Sequence, residues 1–432
     1  MRTRMNKTAI TRGVAALGLL VAAAGCGTAA QASAQVTIMV PWSGTEFDAF
    51  YHVIEDFQNS THIHVNVEVT RAQTEQLAAA VGAHAPPDLA VLPSVGAVDQ
   101  DAELGELQPI QGIAPSDFLE PFSGLMSVRG KVYAVPVKAD VKSLTWYDPR
   151  YTAAPPAAAS AQQALAAGRG GFWCLGLESG PTSGWPGADW IADLYLAKNG
   201  TTAYENWLTG TPTQWQTVKA AWTDWANLVE GSTENAAITP FGDAAAGMTE
   251  NGRPTCELAH GALAAMAFSS KLKPGTDYDF VAPASSTPLE VSADFLGMFS
   301  KGNPAAVALM QYLTSKSAQI AWVKGDGYAF SANKQVPQDL YPGPVEQRIA
   351  GLLQPSSGHP LCFGAADMMT PDMSTAFYQA VMNFVEAPSP RDQTITGLLN
   401  GLQTSQSSQS SQSGQSPDTA QISPGAICSS SS

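Results

Sequence analysis

The chain has 432 residues, of which 22 are Lys or Arg and 37 are Asp or Glu, for a formal charge of −15. An acidic balance of that size argues against nucleic acid as a partner, because a phosphate backbone is bound through an excess of cations. Only 14% of the residues are charged while 44% are hydrophobic, which excludes a solvated acidic coil and fits a globular protein with a large core.

Arg2, Arg4, Lys7 and Arg12 precede an apolar run from Gly13 to Ala24, followed by Gly25-Cys26. A helix of that length rises only about 18 Å, short of the roughly 30 Å hydrocarbon core, so the segment reads as an export signal and not as a membrane span. The residues before Cys26 resemble a bacterial lipobox, with Ala23 where leucine is usual. That resemblance implies a signal peptide over 1–25 and a lipidated Cys26 as the first residue of the mature protein, tethered through 26–35 to the outer face of the cell membrane. Cleavage after Ala32-Ser33-Ala34 is the rival reading, and it too places the mature chain outside the cytoplasm. Loss of residues 1–25 leaves 18 basic against 37 acidic residues and a formal charge of −19. No later apolar run is long enough to span a bilayer. The remaining length exceeds a single hydrophobic core and predicts two lobes.

Val36 to Pro41 is an apolar, β-prone run, Trp42-Ser43-Gly44 reads as a turn, and a helix follows. Thr45 with Asp48 three residues on offers its cap, and Phe47, Phe50, Ile54 and Phe57 recur at helical spacing. Thr61 to Val69 alternates as a half-exposed strand. Its polar face carries His62 and His64, which need no metal to explain them. A second helix over about 72–81 leads to the short apolar strand Leu89 to Leu92, flanked by prolines. This β-α-β-α-β order predicts a parallel sheet with helices on its faces and a ligand crevice beyond the carboxyl ends of its strands. Trp42 and Glu46 follow the first strand and Ser94 to Gly96 the third, so both face that crevice.

Gly130 to Pro136 and Lys138 to Tyr147 are successive extended runs, as of a strand leaving one lobe and entering another. An Ala/Pro-rich, helix-prone stretch then leads to Gly171–Trp190, GFWCLGLESGPTSGWPGADW, in which periodicity gives way to aromatics, carboxylates and glycines. Trp173, Trp185 and Trp190 offer flat apolar faces, Glu178 and Asp189 offer acceptor oxygens, and the glycines allow close backbone approach. Those groups suit a pyranose, but tryptophans filling a core give the same composition. Val218, Trp222, Trp225 and Val229 keep helical spacing and read as core. Tyr278 to Pro283 and Leu289 to Phe299 read as strands, the latter carrying Asp294, and Pro304 opens a helix running to Trp322. From Gln403 the chain turns Ser/Gln-rich and is expected to be disordered over 403–432.

With Cys26 assigned to lipid, Cys174, Cys256, Cys362 and Cys428 remain and allow three connectivities in an oxidising compartment. Cys174 with Cys256 is favoured because both fall in segments assigned to one lobe; a bridge between Cys362 and Cys428 is a pairing that sequence alone leaves open. The cysteines are scattered, with no C-x-x-C pair to suggest zinc, and neither a metal nor a cofactor is predicted.

Several ordered segments together resemble the family 1 extracellular solute-binding proteins of ATP-binding-cassette importers, within them the α-glucoside type. They are Trp42-Ser43-Gly44-x-Glu46, Pro87-Asp88-Leu89-Ala90, Gly130-Lys131-Val132-Tyr133, Lys142-Ser143-Leu144-x-Trp146-Tyr147, Trp173-Cys174-Leu175-Gly176-Leu177-Glu178-Ser179, Ser183-Gly184-Trp185-Pro186-Gly187-Ala188-Asp189-Trp190 and Phe330-Ser331-Ala332-Asn333-Lys334. Threonine usually stands where this chain has Ala188. The resemblance implies an α/β, two-lobe, periplasmic-binding-protein-like fold of type II, each lobe a mixed, mostly parallel sheet flanked by helices, with the ligand cleft between. One lobe would comprise 36–137 and 285–328, the other 138–284 and 329–402. It further implies a non-enzymatic monomer that captures a carbohydrate, such as an α-linked di- or oligosaccharide, and delivers it to the transmembrane subunits of a permease. Trp185 and Trp190, with Trp42 opposite, would stack on the sugar. Glu46, Asp140, Glu178 and Asp189 would accept hydrogen bonds from its hydroxyls and Lys138 would donate one. A polyamine or glycerophosphodiester ligand is the alternative. A glycoside hydrolase is a further one, since the chain has acids enough for a catalytic pair, although it lacks G-x-S-x-G, G-x-G-x-x-G, P-loop and H-E-x-x-H motifs.

Overall fold

In the computed structural model the chain is described over residues 34–429, apart from 93, 153–172, 211–213, 251–253, 388–390 and 414–425. The expected signal peptide, Cys26, most of the tether and the Ala/Pro-rich stretch lie outside the described residues. Strand β1 (Gln35–Val40) pairs in parallel with β2 (His64–Val69) and with β3 (Leu89–Leu92). Helices α1 (Gly44–Thr61), α2 (Gln73–Gly82) and α3 (Val95–Leu104) connect and follow them. The first hundred residues thus follow the β-α-β-α-β order read from periodicity. The helix starts at Gly44, two residues earlier than a Thr45 cap would set it, so Ser43 stands at the N-cap of α1, where it makes no side-chain cap bond.

A hairpin of β4 (Ser127–Val128) and β5 (Lys131–Val132) precedes the long strand β6 (Ala134–Val141), which leads through β7 (Thr145–Tyr147) into the second lobe. There β7 is the centre of a small antiparallel sheet between β8 (Leu258–His260) and β9 (Asp279–Val281). Helices α4 (Trp185–Thr209) and α5 (Lys219–Leu228) pack beside it, with the short α6 (Leu263–Met266). Trp222 and Trp225 are fully buried core residues, as their spacing predicts.

The lobes meet on β10 (Leu289–Met298). Its C-terminal half pairs antiparallel with β3, its N-terminal half pairs in parallel with β11 (Leu361–Phe363), and its other edge runs antiparallel to β6. Asp294 faces Lys138 and Phe295 faces Pro136, so Val137 is left over as a bulge at the middle of the crossing. A bulge is where a strand tolerates proline, which has no N–H for the ladder. A third segment runs alongside, since Phe330 bridges Ala139.

The helix predicted from Pro304 to Trp322 is two, α7 (Pro304–Leu313) and α8 (Lys316–Val323), because Ser315 breaks the first and caps the second through the Ala318 N–H. Helices α9 (Pro344–Leu352), α10 (Ala365–Met368), α11 (Pro371–Glu386) and α12 (Arg391–Ser413) complete the chain. The expectation of a disordered tail from Gln403 is corrected: α12 carries it on to Ser413, starting from the buried Leu399 and Leu402. Farther on, Ile427 is buried, its carbonyl accepts from the Phe363 N–H, and Cys428 is bonded to Cys362. The other disulfide joins Cys174 to Cys256.

Candidate functional site

Strand β6 places Lys138 and Asp140 at alternate positions, hence on one face of the crossing sheet, and Lys142 follows just past its last residue, Val141. Lys138 Nζ lies 2.9 Å from Glu46 Oε1 and 2.8 Å from Asp140 Oδ2, so it ties the first turn of α1 to the crossing strands. Asp294, opposite Lys138 in register, accepts a 2.8 Å hydrogen bond from the Trp42 indole N–H. One step along, Lys142 Nζ lies 2.9 Å from Asp189 and 2.7 Å from Asp367. The Asp189 contact is an ion pair without hydrogen-bond geometry, and Asp189 Oδ2 is otherwise unpartnered.

Both lysines are almost wholly buried, at 4% and 7% exposure, and a buried charge persists only where it is paired. Burial pulls Lys138 down, but Asp140, Glu46 and Asp294 outweigh it and hold the ammonium above its ordinary range. Lys142 is held up against burial by Asp189, Asp367 and Glu290. The acids move the other way: burial pushes Asp140 up to about 6 in spite of Lys138. Burial likewise raises Asp189, against Lys142. Glu290 is completely enclosed with neither carboxyl oxygen partnered among the described residues, and burial followed by the field of Asp189 raises it well above the usual carboxylate range. Asp140 Oδ1 is also buried without a partner among the described residues.

Apart from the enclosed Glu290, these groups form the floor of a cleft of about 230 Å3 between the lobes, walled by Trp42, Arg71, Gln73 and Thr74 on one side and by Trp185, Phe241, Ala265 and Tyr378 on the other. Trp185 and Phe241 meet edge to face at 5.2 Å, which leaves ring surface turned to the cavity. Trp185 opens α4 behind Gly184, whose φ of 103° and whose contact with Tyr378 both exclude a side chain: an added Cβ would lie 2.2 Å from the Tyr378 carbonyl oxygen. A narrower chamber of about 30 Å3 adjoins the cleft past Lys142, Asp189 and Trp185, and reaches Trp190 and His260. The Trp190 and His260 rings stack at 4.7 Å, and His260 Nε2 lies 3.0 Å from Asp193.

Six of the eight side chains picked out by sequence, Trp42, Glu46, Lys138, Asp140, Trp185 and Asp189, line the main cleft. Trp42 is only 3% exposed and packs its ring on Phe50 and Trp322, so it closes the wall without offering a free face opposite Trp185. Trp190 does not reach the main cleft. It is held between Trp173 and His260 behind the adjoining chamber. Glu178 lines neither cavity, because its carboxylate turns back to accept the Gly180 N–H at 2.9 Å. Ala188 is fully buried in the first turn of α4 and lines neither cavity, so the missing threonine hydroxyl is not a missing cleft group. Asp294, Asp367, Arg71, Phe241 and Tyr378 are cleft residues that the sequence reading did not select. An acid within the apolar strand Leu289 to Phe299 was a usable signal for Asp294. Nothing local distinguishes the other four.

A sequence model of the bacterial extracellular solute-binding protein family matches residues 52–347. The α-glucosides-binding periplasmic protein AglE of Rhizobium meliloti is 27% identical over 391 residues, covering 83% of this chain and 84% of that protein. The osmoprotective compounds-binding protein GgtB of Synechocystis is 29% identical over 382 residues, covering 81% and 88%. Among solved structures, the bacterial solute receptor AcbH, characterised by a preference for b-D-galactopyranose, superposes with a TM-score of 0.72 at 17% identity, over 87% of this chain and 99% of that one. A chitin oligosaccharide binding protein superposes with a TM-score of 0.69, also at 17% identity, over 86% and 99%.

Proposed function

Because this chain belongs to the bacterial extracellular solute-binding proteins, we propose that it captures a carbohydrate in the cleft between its lobes and delivers it to the permease of an ATP-binding-cassette importer. The observation that carries this reading is the cleft itself, in which aromatic faces of Trp185 and Phe241 stand over a floor of charges already paired among themselves. Both lysines of that floor are already paired, so it offers no free cation to an anionic ligand. The cleft presents apolar surface for the C–H face of a sugar ring, and carboxylate oxygens for its hydroxyls at Glu46, Asp140, Asp189 and Asp294. AglE is named for α-glucosides and covers most of this chain, which supports an α-linked di- or oligosaccharide as the cargo. The lobes divide near 137, 284 and 328, around the three segments that run together at the bulge. Solute contacts shared by both lobes coexist only when the hinge is shut, so binding shifts the population toward closure. Lipidation at Cys26 would keep a monomer close to its permease.

The test is a thermal-shift panel of α-glucosides, other disaccharides, polyamines and glycerophosphodiesters on the purified protein. A true ligand at about a hundredfold excess over its Kd adds about 2.7 kcal/mol. Melting shifts confined to polyamines or phosphodiesters would replace the carbohydrate reading. Release of glucose from maltose or trehalose would replace it with a hydrolase.

A further inference from the structure

Arg71 follows β2, the edge strand three places from β10 in the sheet order β10-β3-β1-β2. At about 4.8 Å per strand it stands roughly 14 Å from the crossing strand, on the long arm of any hinge rotation. Its guanidinium carbon lies 5.3 Å from the centroid of the Phe241 ring, which belongs to the opposite lobe. Among the described residues, the one hydrogen bond that holds the guanidinium on its own side is a long one, 3.4 Å to the Ser43 hydroxyl, and no carboxylate pairs with it.

Phe241, by contrast, is fixed. Its backbone N–H donates to the Glu178 carbonyl, its ring is set edge to face against Trp185, and the segment before it packs so closely on Gly176 that a Cβ there would lie 2.6 Å from the Pro240 carbonyl oxygen. The Cys174–Cys256 disulfide braces the same layer. A charged, planar, loosely held group therefore rests on a rigid aromatic platform across the mouth of the cleft. The Lys138–Glu46 pair differs, because Lys138 sits on the crossing strand itself and moves little when the lobes part. Cation–ring attraction is lost beyond about 6 Å, so a small opening breaks the Arg71 contact first.

We infer that Arg71 and Phe241 form a latch across the cleft mouth that sets how much of the protein is closed before a solute arrives, and through that fraction the apparent affinity. Apparent Kd scales inversely with the closed fraction, and a partly exposed cation–ring contact is worth about a two- to fivefold change in such an equilibrium. The link to affinity rests on the proposed solute-capture role, whereas the latch itself can be measured without any solute.

The measurement is single-molecule energy transfer on the full chain, with dyes carried by azido amino acids at the exposed Leu104 and Ile238. Wild type, Arg71→Ala, Arg71→Lys, Phe241→Leu and the Arg71→Ala/Phe241→Leu pair are compared, and their melts confirm folding. The ligand-free wild type should show a closed population whose closed-to-open ratio falls about two- to fivefold in either single variant and no further in the pair. Lysine should restore part of it. No closed population in ligand-free wild type, unchanged populations in the single variants, or additive losses in the pair would overturn the latch. If every sugar fails to bind, the carbohydrate reading falls while the ligand-free result stands or fails on its own.

Discussion

Lys142→Met keeps the aliphatic stem and deletes the one cation within ion-pair distance of Asp189 and Asp367 among the described residues. The three side chains are 9%, 7% and 14% exposed, so water cannot replace the lost charge. Removing one partner of a buried pair costs about 3–5 kcal/mol, most of it the penalty of the charges left behind. With an unfolding entropy near 0.8 kcal/mol/K for a chain this long, that corresponds to a fall in Tm of about 4–6 °C. The pH dependence tests the cause. Burial already raises the folded pKa of Asp189 above its usual range. A carboxyl raised in the folded state contributes stability in acid that is lost as pH rises through the folded pKa. Without Lys142 that pKa climbs further, so the deficit is small near about pH 5, where Asp189 takes up a proton, and largest near about pH 8. Calorimetric melts of both proteins at the two pH values measure it. A deficit equal at both pH values, or none at the higher one, would refute the argument that Lys142 neutralises buried carboxylates.

Glu290→Gln should match wild type in acid, where the carboxyl is protonated folded and unfolded, and exceed its stability by a margin that grows as pH rises above the usual value of 4.5 toward the raised folded pKa, since an amide has no proton to lose; denaturant titrations across pH decide this, and destabilisation at neutral pH would mean an ionised Glu290. Trp185→Ala should leave the far-ultraviolet spectrum intact and weaken any sugar that binds wild type by at least about tenfold, read by isothermal calorimetry. Replacing both Cys174 and Cys256 by serine frees a loop of 82 residues' separation, and chain entropy puts the loss at up to about 4.5 kcal/mol by chemical denaturation.

Local pattern determined much of this protein. Alternation in β2, the three- and four-residue spacing of Phe50, Ile54 and Phe57, and prolines flanking Leu89–Leu92 specify the first lobe's β-α-β-α-β order, because periodicity reports which face each segment buries. The aromatic loop around Trp185 and the acid after the first strand pointed to the cleft for the same reason: groups placed beyond strand ends have nowhere else to go. Periodicity is silent about partners distant in sequence. Only the tertiary structure could turn Glu178 back onto the Gly180 N–H, sandwich Trp190 between Trp173 and His260, and bring Asp367 to Lys142 from 225 residues away. It alone joined Phe241 to Arg71 across the cleft. The Ser/Gln-rich tail shows the same limit, since its composition predicts a solvated coil while packed Leu399 and Leu402, with a disulfide at Cys428, commit its start and its end. Composition measures what a segment can bury by itself, and the fold decides what it is buried against.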